Sequence, residues 1–193
     1  VTGTSRADTA NETDADVATT TVLTGDTITL DESFSPSAAA ANYAQTLTCV
    51  YGQQDTSIPV TNDSITVPAA AADSTISCTF ENARKSATLT LEKAWVDGAA
   101  TDEARLTIDG TNDDSDTAIA DGSVGTQVST QTSSATVFAG EAVVLTEVLG
   151  VGNTAEYASE LTCGGTLVTP LTNLSGTYTV PSDPQAVTCR FTN

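Results

Sequence analysis

The chain has no histidine among its 193 residues. That excludes a histidine general base, a histidine-ligated metal and a Ser-His-Asp triad together. Lysine and arginine number six against 25 acidic residues, a net charge of −19. Phosphate binding needs a basic surface, so nucleic acid is excluded as a partner, and anionic membrane surfaces are disfavoured on the same ground. Such a charge suits solubility, high salt or cation binding. Aromatic residues make up 5% of the chain, so each core is thin and aliphatic. No cysteine stands in a C-x-x-C pair, which argues against zinc. No nucleotide motif or metal cluster is present, so no cofactor is expected and an ordinary enzyme is the weakest reading. No signal peptide, transmembrane run or sorting motif is present. Export or anchoring signals are therefore expected outside this sequence.

What is there is Thr, Ser, Ala, Val and Asp in short alternating runs without long helix-period patterns. This is the profile of an all-β chain of many short strands. Two segments match. Thr21–Phe34 (TVLTGDTITLDESF) parallels Thr136–Leu149 (TVFAGEAVVLTEVL), and Asn42–Cys49 (NYAQTLTC) parallels Glu156–Cys163 (EYASELTC). Ser64–Asn82 parallels Thr177–Asn193 in the same order. Self-similarity on this scale means tandem domains. The expected division is repeat 1 over 1–82, a short linker at 83–86 and repeat 2 over 87–193. A linker of four residues, ARKS, predicts a fairly stiff rod. Val1–Gly3 aligns near Ile108–Gly110, so repeat 1 has no counterpart of Ala87–Val96 and lacks its opening strand. A fragment cut from a longer array, or a strand donated by a neighbouring subunit, would explain that.

The repeat pairs Cys49 with Cys163 and Cys78 with Cys189. Matched, even cysteines predict the disulfides Cys49–Cys78 and Cys163–Cys189 and an oxidising, extracellular setting, with free buried thiols as the alternative. The acidic stretches 8–16 and 107–131 read as loops joining short strands. Asn112–Asp116 with Asp109 and Asp121 offers oxygen ligands but lacks the spacing of a known calcium loop, so a solvated loop is expected and a calcium site is not. The sequons at Asn11, Asn62 and Asn173 matter only in a glycosylating host.

Three strands carry a polar residue on their apolar parity. Lys93 shares a face with Leu89, Leu91 and Trp95; Glu147 with Val143 and Leu145; Asn193 with Val187, Cys189 and Phe191. In repeat 1, Glu32 keeps the phase of Ile28, Leu30 and Phe34, and Asn82 that of Ile76, Cys78 and Phe80. Buried polar groups are tolerable only when they meet.

The set of Lys93 in L-x-L-x-K, Glu147 after an A-G-E turn and Asn193 closing F-x-N resembles the Cna-B-like, SpaA-type prealbumin-like domains of bacterial surface proteins and pilins. The resemblance covers 87–193 fully and 1–82 except its first strand. It departs from the family at the glutamate's loop, where E-x-x-A-P-x-G-Y is replaced by EVLGVGNTAEY. It implies a Lys93–Asn193 isopeptide bond assisted by Glu147. In repeat 1 it gives Glu32 and Asn82 the same roles, with the partner lysine not in the chain. Attack needs a neutral amine, which burial favours. A protonated glutamate would polarise the asparagine carbonyl and pass a proton to the leaving ammonia. The plain alternative is that Lys93 snorkels to water, Glu147 pairs with it, and Asn193 merely ends a strand.

The expected fold is two tandem antiparallel β-sandwiches, immunoglobulin- or transthyretin-like, each of roughly seven strands. The function the resemblance implies is a structural, force-bearing repeat of an extracellular filament, pilus or adhesin stalk. Its partners would be neighbouring repeats or subunits of the same fibre, with no membrane insertion. The competing readings are a glycan-binding adhesin module and a strand-exchanging fibre subunit.

Overall fold

A computed structural model describes residues 18–193. The expectations for 1–3, 8–16 and Asn11 lie outside the described residues. The chain is all-β, with two short 3-10 turns at Ser37–Asn42 and Ala69–Ala71. It divides into two compact units. One holds the described residues up to Phe34 with Gln45–Asn82; the other holds Ser35–Ala44 with Ala83–Asn193. Among the described residues no helix is long and apolar enough to cross a membrane.

The first unit is built on β1 (Thr27–Thr29), β2 (Tyr43–Tyr51), β3 (Thr56–Ile58), β4 (Ser64–Thr66) and β5 (Ile76–Arg84). Its sheets are the pair β1-β4 and the triplet β3-β2-β5. Cys49 and Cys78 form a disulfide joining β2 to β5. Around it, Ile58 and Ile65 are buried while Ile28, Leu30, Leu47 and Ile76 are only partly so.

The second unit begins at β6 (Ser86–Val96) and runs through β7 (Glu103–Asp109), β8 (Asp114–Ile119), β9 (Thr126–Phe138) and β10 (Ala142–Leu149). It closes with β11 (Glu160–Cys163), β12 (Thr166–Leu167), β13 (Ser175–Thr179) and β14 (Val187–Thr192). Much of 107–131, read from sequence as loop, is thus strand. One sheet has the order β13-β10-β7-β8 and the other β12-β11-β14-β6-β9. Pairing is antiparallel except between β6 and β14, the first and last strands, which lie side by side in parallel. Alternation explains the core: Leu89, Leu91, Val143, Leu145, Leu161 and Phe191 are among the residues fully enclosed between the sheets. Each such side chain contributes about 1.5–3 kcal/mol on leaving water. The Cys163–Cys189 disulfide ties directly opposed residues of β11 and β14.

The repeat is visible in local geometry. Gly25 and Gly140 both adopt positive φ, +86° and +75°, the left-handed turn that glycine takes without strain. Three residues before Asp26 and Glu141, the amides of Leu23 and Phe138 donate to those carboxylates at 3.0 and 2.8 Å. Asn62-Asp63 and Asn173-Leu174 each have two successive positive φ values, the type I′ signature of a tight hairpin. Two of the three sequons therefore sit on turns that asparagine suits for conformational reasons.

Candidate functional site

Lys93 is the strand residue that the ladder leaves out. β9 pairs with β6 at Glu92↔Thr132 and again at Ala94↔Val128, so β9 bulges opposite Lys93. Bulges re-aim side chains and gather beside functional sites. Here Ser129 and Gln131 tie the bulge together through a 2.6 Å side-chain bond. The lysine has 0% exposure, Glu147 1% and Asn193 9%. Lys93 therefore does not snorkel, and that alternative is corrected: its neighbours Leu91 and Trp95 share its buried face.

The structure brings Lys93 and Glu147 together. Nζ lies 3.3 Å from Glu147 Oε1. The amine donates its hydrogen bond to the Ala94 carbonyl at 3.0 Å, and Oε1 receives none. The other oxygen, Oε2, accepts from Ser159 Oγ at 2.6 Å. Trp95 closes a third side, with Nζ 4.0 Å from the ring centroid. Burial pulls the Lys93 amine down from 10.5 to about 8, against the opposing pull of the Glu147 carboxylate beside it. Near neutral pH about one such amine in ten is then unprotonated, several hundred-fold more than for an exposed lysine.

Asn193 continues the parallel ladder. Its amide donates to Ala94 O at 3.0 Å and its carbonyl accepts from Val96 N at 2.6 Å. That makes it the ladder partner of Trp95, just as Phe191 partners Lys93. Lys93 and Asn193 are thus diagonal neighbours on one face of adjacent strands, roughly 8 Å apart at the backbone and within a lysine's reach. Both polar atoms of the Asn193 side chain are buried without a hydrogen-bond partner. Unpaired buried amides are expensive, so this one stands ready for a reaction or a partner.

The first unit holds the corresponding glutamate and asparagine. Asn82 Nδ2 donates to both oxygens of Glu32, at 2.9 and 3.0 Å, and Asn82 Oδ1 is buried without a partner. Glu32 does not lie in a strand, contrary to its sequence phase. β1 and β4, which are not consecutive in the chain, pair over three residues where β10 and β13 pair over five. The turn at Asn62-Asp63 stands two residues nearer Pro68 than the turn at Asn173-Leu174 stands to Pro181, so β1 ends at Thr29. Beside Glu32 lies a cavity of about 80 Å³ lined by Asp31, Gln45 and Asp63 as well as by Leu30, Leu47 and Phe80. The partner lysine is not in this unit: the chain's second lysine, Lys85, lies in the other unit and pairs with Asp183.

Sequence reasoning missed Ser159 and Gln45. Gln45 Nε2 donates to Glu32 at 2.7 Å, as Ser159 does to Glu147. The two occupy the same place in NYAQ and EYAS, and that match was the available signal. It also missed Asp102, a carboxylate with 1% exposure. The acidic stretch, expected from sequence as a solvated loop and not a calcium site, spends its oxygens on the chain: Asp113, Asp114 and Asp121 accept from the amides of Gly110, Ser134 and Ser123. Among the described residues no cluster of acidic or cysteine side chains is arranged to hold a metal.

The two predicted disulfides are both present. The comparisons agree with the geometry. A family model for a SpaA-type prealbumin-like fold domain matches residues 1–84 and again 88–193. No curated protein and no solved structure matches the chain significantly. On that double match, which runs over nearly the whole length, the chain belongs to the SpaA-type prealbumin-like domain family.

Proposed function

We propose that the chain is a force-bearing repeat of a bacterial extracellular filament, pilus or adhesin stalk. In this reading its second unit matures by joining Lys93 to Asn193. The observation that carries it is the enclosed Lys93 amine, 3.3 Å from Glu147, on the same face as an asparagine amide with no partner. The neutral amine attacks Asn193 Cγ. Glu147 in its protonated form polarises the carbonyl and then passes a proton to the departing amide nitrogen. The Cγ–Nδ2 bond breaks, one ammonia leaves and one amide forms. Enclosure supplies proximity and keeps water out. The event happens once per molecule, so the chain is not an enzyme acting on other substrates.

The link has a mechanical meaning. β6 and β14 lie in parallel, so tension applied at Ser86 and Asn193 shears their ladder. A Lys93–Asn193 bond would carry that tension covalently and leave residues 94–192 unloaded. The intact mass of the reduced, unfolded chain tests the reading. A mass one ammonia light, with the Lys93 and Asn193 peptides joined, is expected; a full mass with free peptides refutes it.

In repeat 1, Glu32 and Asn82 would take the same roles toward a lysine on a strand laid beside β5. The half-buried Cys78 and Phe80, whose counterparts Cys189 and Phe191 are enclosed, favour such a strand. Mixing the chain with a peptide of sequence Ala87–Val96 tests this; a covalent adduct at Asn82 is expected, and its absence refutes the role.

A further inference from the structure

We propose that Asp102 and Tyr157 are positioning residues for the Lys93 reaction, clamping the segment 150–157 over the end of the sandwich and holding Trp95 against the amine. The proposal rests on the reading of Lys93, Glu147 and Asn193 as the reacting groups.

Asp102 immediately precedes β7 and is enclosed, yet it touches neither Lys93 nor Glu147. Its Oδ1 accepts from Thr154 N at 2.8 Å and Thr154 Oγ1 at 3.0 Å. Its Oδ2 accepts from Ala155 N at 3.1 Å and from the Tyr157 hydroxyl at 2.8 Å. The same hydroxyl accepts from Ala99 N at 3.0 Å. Next door, Asn153 exchanges two hydrogen bonds with the Glu103 backbone, at 2.8 and 3.0 Å. The connection whose tip residue Val151 is fully exposed is therefore tied at six points to Asp102 and to Glu103, the first residue of β7. A carboxylate filled by four donors is a strong and oriented anchor.

The anchored element does one thing for the site. Tyr157 meets Trp95 edge-on, ring centroids 5.1 Å apart. Trp95, Ala104 and Ala120 form their own buried cluster, with Leu149 and Tyr157 packed on it. A side chain at Gly98 would strike Trp95 Cβ at 2.9 Å, so the indole is confined on that side too. Lys93 lies between this plug and the main core. Remove the clamp, and the wall that keeps water from Nζ is free to move. The Thr154 amide foremost, then Tyr157 and Ala155, holds the Asp102 carboxyl below the usual carboxylate range despite its burial. The anchor thus stays charged through the neutral range. Among the described residues, Glu147 is the one charged group in contact with Nζ; Asp102 stands behind Tyr157.

The test follows maturation of the full chain made by cell-free synthesis, sampled by intact mass over time and across pH. The parent is expected to lose ammonia with a rate midpoint near pH 8, set by Lys93. Tyr157→Phe is expected to mature roughly tenfold more slowly, as small misplacements do, with its midpoint displaced upward toward that of a hydrated lysine. A merely structural role would lower stability without moving the midpoint. If Tyr157→Phe does not fold, Asp102→Asn, which keeps the shape and loses the charge, carries the same test. A folded variant with parental rate and midpoint overturns this proposal alone. A parent that stays at full mass overturns the crosslink reading and this proposal together.

Discussion

Lys93 Nζ and Glu147 Oε1 stand 3.3 Å apart with neither side chain exposed to solvent. A buried ion pair is a poor stabiliser, because desolvating two charges offsets most of their attraction. The amine's bond to Ala94 O, its approach to the Trp95 ring and the carboxylate's bond from Ser159 compensate it further. The crosslink proposed above would give the pair a chemical role that its stability contribution does not.

Removing one partner should therefore be worse than removing both. Glu147→Ala is expected to abolish the loss of ammonia and to cost about 3–5 kcal/mol, since it strands an amine in the core. Lys93→Met with Glu147→Leu should be uncrosslinked yet within about 2 kcal/mol of an uncrosslinked Asn193→Ala chain. Intact mass and denaturant unfolding under reducing and oxidising conditions read both.

Asn193→Ala leaves Lys93 a free amine and exposes its linkage to pH. The folded value of about 8 lies below the ordinary 10.5. Between these values the unfolded chain keeps a proton that the folded chain has released, so stability rises with pH across that window. Below about 8 the burial penalty is present in full; above 10.5 it is gone. Burial also raises the Tyr157 hydroxyl, so the lysine is isolated by subtracting Asn193→Ala/Lys93→Met. Unfolding midpoints from pH 7 to 10 should diverge between the two chains in that sense, and parallel curves would count against the shifted amine.

The disulfides make a separate, additive contribution. Cys163–Cys189 spans 26 residues, and closing a loop of that size removes about 3 kcal/mol of unfolded-state freedom. Cys163→Ala/Cys189→Ala should lower stability by about that amount without altering ammonia loss. The bridge joins β11 to β14 on the same buried face, and Lys93 contacts neither sulfur.

The fold and the polar trio were legible because alternation on β6, β10 and β14 survives into the structure residue by residue. Leu89, Leu91, Lys93 and Trp95 are all enclosed, as their parity demands. Parity says nothing about turn length, which is why Glu32 falls outside β1 although its phase is right. Nor does it reveal a bulge: nothing in STQTSS marks the slip of β9 opposite Lys93. Asp102 escaped notice because its partners lie more than fifty residues ahead. In sequence it is one acidic residue among many, and only tertiary structure gives it four donors.

Pulling a single chain by handles at Ser86 and Asn193 decides the mechanical claim. Crosslinked, only residues 86–93 can peel away, and because they already form an extended strand along the pulling direction almost no length is gained. In Asn193→Ala the whole unit is exposed to load. Its disulfide still shelters residues 164–188, so the gain should be on the order of 280 Å, rising to roughly 360 Å after reduction. The parallel β6-β14 ladder is loaded in shear only where the crosslink is absent, and the extension length separates the two chains directly. A parent that extends as far as Asn193→Ala would show that tension passes through the domain body and that the strands are held by hydrogen bonds alone.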